Sequence, residues 1–124
     1  MKSDTLLGFY NVTNSDQPVK LAVTIGNNQN AVSKLLLNDQ VVTGSGRDGG
    51  FVRSFEKILG TNIELTGKKL QITTLVVNNG KDINRTCLFV SLTGGVNQYA
   101  QEMEHNSSEK GGVVKYTVSF KFCK

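Results

Sequence analysis

The sequence predicts an all-β domain, built as an antiparallel two-sheet β-sandwich of about eight strands. Apolar and polar residues alternate with a period of two in several segments, which is typical of strands with one face in a core. Glycine and asparagine separate these segments, and the chain has 13 glycines but one proline. Because glycine and asparagine tolerate the backbone conformations of tight turns, this composition indicates many short reversals. An immunoglobulin-like, C2-like or jelly-roll sandwich is expected, with a closed barrel as the alternative.

The size and composition of the chain indicate one folded domain over residues 1–124. A chain of 124 residues is long enough to bury well over half of its unfolded surface, and too short for two typical domains. Its 38% hydrophobic and 19% charged residues are ordinary for a globular protein.

The first half of the chain contains five predicted strands, two of which form a hairpin. The clearest alternation runs over 19–25 and stops at Gly26. A helix starting after Asn30 would also fit 31–37, but we predict a strand there, which turns at Asn38-Asp39 into 41–42. Two further strands are expected, over 6–12 and 51–59.

The second half is predicted to continue as a meander of strands. Residues 63–65 are expected to end a short strand before a turn at 66–69. The strands that follow are predicted over 70–76, 87–92 and 114–122. The segment 97–105 is compatible with either a short helix or a strand.

The charge pattern gives no indication of nucleic-acid binding. The net charge is +4, but the basic residues are scattered from Lys2 to Lys124, and only Lys68 and Lys69 are adjacent. Nucleic-acid-binding domains usually carry a basic cluster or stripe. We therefore do not expect nucleic acid as a partner, and the alternative that stays open is a charged face formed only in three dimensions.

The sequence offers no targeting or membrane-spanning segment. The N-terminal region lacks the apolar core and cleavage site of a signal peptide, and no apolar run approaches the ~20 residues of a membrane span. A cytoplasmic location is therefore favoured, and the alternative is a mature form whose signal has been cut off. Without a signal, Cys87 and Cys123 are expected as free thiols.

No arrangement of residues in the sequence indicates catalysis, a metal or a cofactor. The single histidine, His105, has no motif partner that would form a catalytic triad or dyad. Three Cys and His residues are too few for a structural zinc site, and no loop carries the clustered aspartates of a calcium site. We expect no enzyme activity, no metal and no cofactor.

The strongest candidate binding segment is the glycine-rich loop 44–50. It is neither a Walker loop nor a dinucleotide fingerprint, because neither motif's remaining residues follow. Ligand sites on β scaffolds usually lie in loops, so Ser45, Arg47 and Asp48 are predicted to bind a ligand. Tyr99 is added as an aromatic contact, and together with Tyr10 and the asparagine-rich loops it makes a glycan the second ligand class.

The sequence therefore favours a non-catalytic binding or protein-interaction module. A protein partner or self-association is the main expectation. The alternative is a structural subunit of a larger assembly, such as a phage, capsid-like or filament protein, because strands 75–77 and 88–90 are apolar on both faces.

Overall fold

The computed structural model describes residues 2–26, 29–44, 46, 49–78, 85–106 and 112–124. These residues form ten strands and one short helix. In chain order the elements are β1 (Lys2–Asn11), β2 (Pro18–Ile25), β3 (Asn30–Leu37), β4 (Gln40–Val42), β5 (Phe51–Val52), β6 (Phe55–Thr61), α1 (Asn62–Leu65), β7 (Lys69–Val77), β8 (Arg85–Thr93), β9 (Tyr99–Asn106) and β10 (Val113–Cys123).

The strands form two sheets, as the sequence predicts. Sheet A has six strands in the order β1-β10-β7-β3-β4, with β5 also paired to β3. Sheet B has four strands in the order β6-β2-β8-β9. All pairs are antiparallel except β1 and β10, which run parallel. The predicted all-β, mainly antiparallel sandwich is confirmed.

The strand count differs from the prediction for two local reasons. The strand predicted over 51–59 is divided, because Arg53 adopts a positive φ of 58° between β5 and β6. The ambiguous segment 97–105 is a strand, β9. The hairpin predicted at Asn38-Asp39 is present, and both residues have the positive φ values (53° and 67°) that this tight turn requires.

The prediction of a strand over 63–65 is wrong, because this segment belongs to α1. Thr61 caps the helix: its hydroxyl accepts a hydrogen bond from the Glu64 N–H, and the Glu64 carboxylate accepts one from the Thr61 N–H. This reciprocal capping box satisfies two backbone donors that the first helical turn leaves free. The alternation of Ile63 and Leu65 resembled a strand, but the Thr-x-x-Glu spacing favours the helix.

The core lies between the two sheets and is formed by the inward residues of each strand. Sheet A contributes Tyr116, Phe120 and Phe122, all essentially inaccessible to solvent. Tyr116 and Thr86 join the two sheets through this core: their hydroxyls lie 2.5 Å apart, and the Tyr116 hydroxyl also lies 3.2 Å from the Thr86 carbonyl oxygen. The tyrosine hydroxyl thus has a partner although the ring is buried.

Asn62 ties three chain segments together at one end of the sandwich. Its side chain is fully buried. The Nδ2 group donates to the carbonyls of Gln17 (2.7 Å) and Gly94 (2.9 Å), and Oδ1 accepts from the Thr13 N–H (2.9 Å). The β1–β2 connection, the β8–β9 connection and α1 are therefore held in one arrangement.

Candidate functional site

Most of the predicted loop site falls outside the residues that the structure describes. Ser45, Arg47 and Asp48 all lie there. The described glycines beside them bond to one another: the Gly44 N–H donates to the Gly49 carbonyl (2.8 Å). The ligand-binding role of this loop stays a prediction.

Tyr99, the fourth predicted site residue, packs against the core. It lies on β9, half-buried, with its ring 5.0 Å from that of Phe120 in an edge-to-face arrangement. Burial raises the pKa of the Tyr99 hydroxyl above its ordinary value. In the strand order, β9 is at one edge of sheet B and the 44–50 loop follows β4 at the far edge of sheet A. The structure therefore does not bring Tyr99 to the described ends of the loop.

The other tyrosines do not form an aromatic surface for a sugar either. Tyr10 is 4% exposed, and its hydroxyl accepts a hydrogen bond from the Gly95 N–H at 2.9 Å. Tyr116 is buried between the sheets. Because sugar recognition needs an accessible aromatic face, the described residues offer no support for the glycan prediction through tyrosine.

The outer face of sheet A carries basic charge and no carboxylate among the described residues. The strand register places Lys34, Lys69, Lys115 and Lys121 on this face. The rest of the face consists of Cys123 and of Thr, Ser, Gln, Asn and apolar side chains. An uncompensated positive potential on one broad face attracts acidic partners.

A groove of about 480 Å³ lies on this face, close to the edge strand β1. We call it the lysine groove, and its lining side chains come from three neighbouring strands. The outward-facing side chains are those of Leu7 and Phe9 of β1, Ser119 and Lys121 of β10, and Lys69 and Gln71 of β7, and Gly8 and Phe120 complete the lining.

Two features of the lysine groove raise the free energy of the folded protein when nothing is bound there. Lys69 and Lys121 lie directly opposite each other on β7 and β10, and like charges in such a cross-strand pair destabilise a sheet. Phe9 and Leu7 expose 73% and 75% of their surface. Exposed apolar side chains next to unpaired charge mark a surface suited to binding.

A second hollow on the same face touches the predicted loop. It measures about 250 Å³ and is lined by Lys34, Leu36, Val41, Thr73 and the loop residue Gly49. Gly49 thus borders the outer face of sheet A at the edge opposite the lysine groove.

The outer face of sheet B carries a thiol beside two carboxylates. The ligand atoms of Cys87, Glu102 and Glu104 all lie within 4.8 Å of one another, and the Cys87 Sγ is 3.4 Å from a Glu102 oxygen. Partial burial and the two neighbouring carboxylates raise the pKa of the Cys87 thiol to about 11, so it is protonated at neutral pH. Arg85 lies 3.7 Å from Glu104 and offsets part of this negative charge.

Sequence reasoning missed both groups because it looked for sites in loops. Glu102 and Glu104 are spaced by two, which places them on one face once 97–105 is known to be a strand. The pairing of Lys69 with Lys121 depends on the register of β7 and β10, which the sequence does not reveal. Both cysteines are free thiols, as expected, and they lie on the outer faces of different sheets.

No protein-family model, no curated protein and no solved structure matches this chain. In the described part of the chain, no helix is long and apolar enough to cross a membrane.

Proposed function

We propose that this protein is a non-catalytic interaction module that binds an acidic, partly apolar segment of a protein partner in the lysine groove. The main observation behind the proposal is that three residues lie side by side on neighbouring strands: the exposed Phe9 of β1, Lys121 of β10 and Lys69 of β7. A carboxylate bound between the lysines relieves their repulsion, and an apolar side chain covers Phe9.

Charge supports an acidic partner over a basic or neutral one. Every charged side chain that the register places on the outer face of sheet A among the described residues is a lysine. Lysine binds carboxylates as a mobile point charge, without the fixed fork of arginine. The groove therefore suits a flexible acidic segment, and the interaction is expected to weaken as salt is added.

Shape supports a short extended segment. The groove runs over Ser119, a small residue, between the larger side chains of β1 and β7. A volume of about 480 Å³ is in the range of pockets that hold a few side chains. The exposed ring of Phe9 and the neighbouring Leu7 supply the apolar contact that gives such interfaces most of their energy.

The proposal is tested with a labelled octapeptide that has two central leucines flanked by three glutamates on each side. Binding is followed by fluorescence anisotropy at low and moderate salt. Lys121→Glu is expected to weaken binding at least tenfold, and Phe9→Ala severalfold. A peptide with lysine in place of glutamate is expected not to bind.

The matched control is Lys115→Glu. It makes the same charge change on the same strand and face, but six residues from Lys121, roughly 20 Å along a strand. It is expected to change affinity by less than threefold. Equal losses for Lys115→Glu and Lys121→Glu would show that only net charge matters, and an unbound wild type would contradict the proposal.

A further inference from the structure

Strand β1 leaves backbone hydrogen-bonding groups open along the edge of sheet A. The Val12 N–H donates to the Cys123 carbonyl (2.7 Å), whereas the Asn11 carbonyl accepts from the Val96 N–H (3.0 Å), on the side away from β10. Since successive backbone groups of a strand point to opposite sides, those of Leu7 and Phe9 also point away from β10. In the described part of the chain β1 pairs with β10 alone, so these groups remain available.

The other sheet edges carry the protections that usually prevent association, but β1 lacks most of them. Strands β4 and β5 are only three and two residues long. Both edges of sheet B carry charge: β6 has Glu56, and β9 has Glu102 and Glu104. The pairing of β6 with β2 also contains a register irregularity. Strand β1 is ten residues long and instead exposes Leu7 and Phe9. Long apolar edges of this kind are natural sites for pairing with another strand.

We infer that β1 pairs with β1 of a second copy of this chain, antiparallel and related by a two-fold axis at Gly8. In this register Leu7 lies opposite Phe9 of the second copy, and Phe9 opposite its Leu7. Each of these two pairs exchanges two main-chain hydrogen bonds. The apolar side chains that are exposed in one copy then cover each other on the same face.

The charges along the strand agree with a second copy as the occupant. In the register centred on Gly8, Asp4 lies opposite Val12 of the second copy, and no like charges face each other. A comparable self-pairing of β9 centred on Met103 would oppose Glu102 and Glu104, which is unfavourable. The Asp4 carboxylate accepts from the Thr5 N–H (2.9 Å), which limits the open groups to the centre of β1.

The pairing joins the two copies of sheet A into one continuous sheet, and it leaves no β1 edge open for a third copy. Because the same edge is used by both copies, the product is a dimer and not a filament. The contact is small, so a weak, concentration-dependent dimer is expected. This inference goes beyond the proposed function and does not rest on it, although both use Phe9.

The test is the mass in solution, measured by light scattering after size exclusion, with reductant, over about a hundred-fold range of concentration. The wild type is expected to rise from monomer to dimer. Leu7→Lys places a charge at the pairing edge, and Leu7→Pro removes an outward N–H that β10 does not use. Both variants are expected to stay monomeric, and circular dichroism shows whether each is folded.

The control is Val41→Lys, which changes a similarly exposed residue (68%) on the same face at its opposite edge. It is expected to dimerise like the wild type. A wild type that stays monomeric, equal loss of dimer in Val41→Lys, or species larger than a dimer would overturn the inference. Peptide binding is measured separately on the wild type at the lowest concentration of this series, so a protein that never dimerises but still binds the acidic octapeptide would leave the proposed function standing.

Discussion

Replacing Asn62 with alanine is expected to destabilise the protein by about 2–4 kcal/mol. The substitution removes three hydrogen bonds of a fully buried side chain. The Gln17 carbonyl keeps a partner, because it also accepts from the Asn62 backbone N–H at 3.1 Å. The Thr13 N–H and the Gly94 carbonyl lose their side-chain partner, and each unsatisfied group costs about 1–3 kcal/mol when buried.

The prediction is checked by urea unfolding of the wild type and three variants, followed by circular dichroism. Asn14→Ala is the matched control, because Asn14 is exposed in the same β1–β2 connection. It is expected to change stability by less than about 0.5 kcal/mol. Asn62→Asp is expected to cost more than Asn62→Ala, since it places a buried carboxylate against two carbonyl oxygens. An Asn62→Ala variant within about 0.5 kcal/mol of the wild type, with an unchanged denaturant slope, would refute the role of this side chain.

Two further predictions concern the thiol of sheet B and the turns. Glu102→Gln removes a carboxylate beside Cys87, which lowers the pKa of the thiol from about 11 and raises its thiolate fraction. Alkylation of Cys87 by iodoacetamide at mildly alkaline pH is therefore expected to accelerate severalfold, measured by mass spectrometry of the labelled peptide. An unchanged alkylation rate would contradict the coupling between Glu102 and Cys87. Gly94→Ala is expected to cost at least about 2 kcal/mol more than Gly67→Ala, measured by thermal unfolding, and equal costs would contradict the packing argument. Both glycines have positive φ (100° and 82°), but an added Cβ at Gly94 overlaps the Pro18 carbonyl, whereas at Gly67 it meets nothing within 4 Å.

The fold could be predicted because alternation encodes which face of a strand is buried. The clearest example is β10, where Tyr116, Val118, Phe120 and Phe122 are all buried and the alternate residues Thr117, Ser119 and Lys121 face outward. The sequence could not reveal the division between β5 and β6, since nothing near Arg53 requires its positive φ. The Thr61-x-x-Glu64 spacing did contain the helix signal, but the neighbouring apolar alternation favoured a strand.

The candidate site could not be predicted because it depends on the pairing of distant strands. Residues 6–10 are mostly apolar, so the sequence does not show that Leu7 and Phe9 face outward until β1 is placed beside β10. The opposition of Lys69 and Lys121 likewise joins residues far apart in the chain. The 44–50 loop was chosen from a local sequence pattern, its glycines. The surface we propose is formed instead by the pairing register of strands that are distant in the sequence.

The most direct test of the account is to map the bound acidic octapeptide on the protein by amide chemical-shift changes in NMR. The largest changes are expected at Phe9, Lys121, Lys69 and their neighbours on β1, β10 and β7. They should disappear in Lys121→Glu and persist in Lys115→Glu. Changes confined to the loop 44–50, with none on these three strands, would contradict the account and return the binding site to the loop.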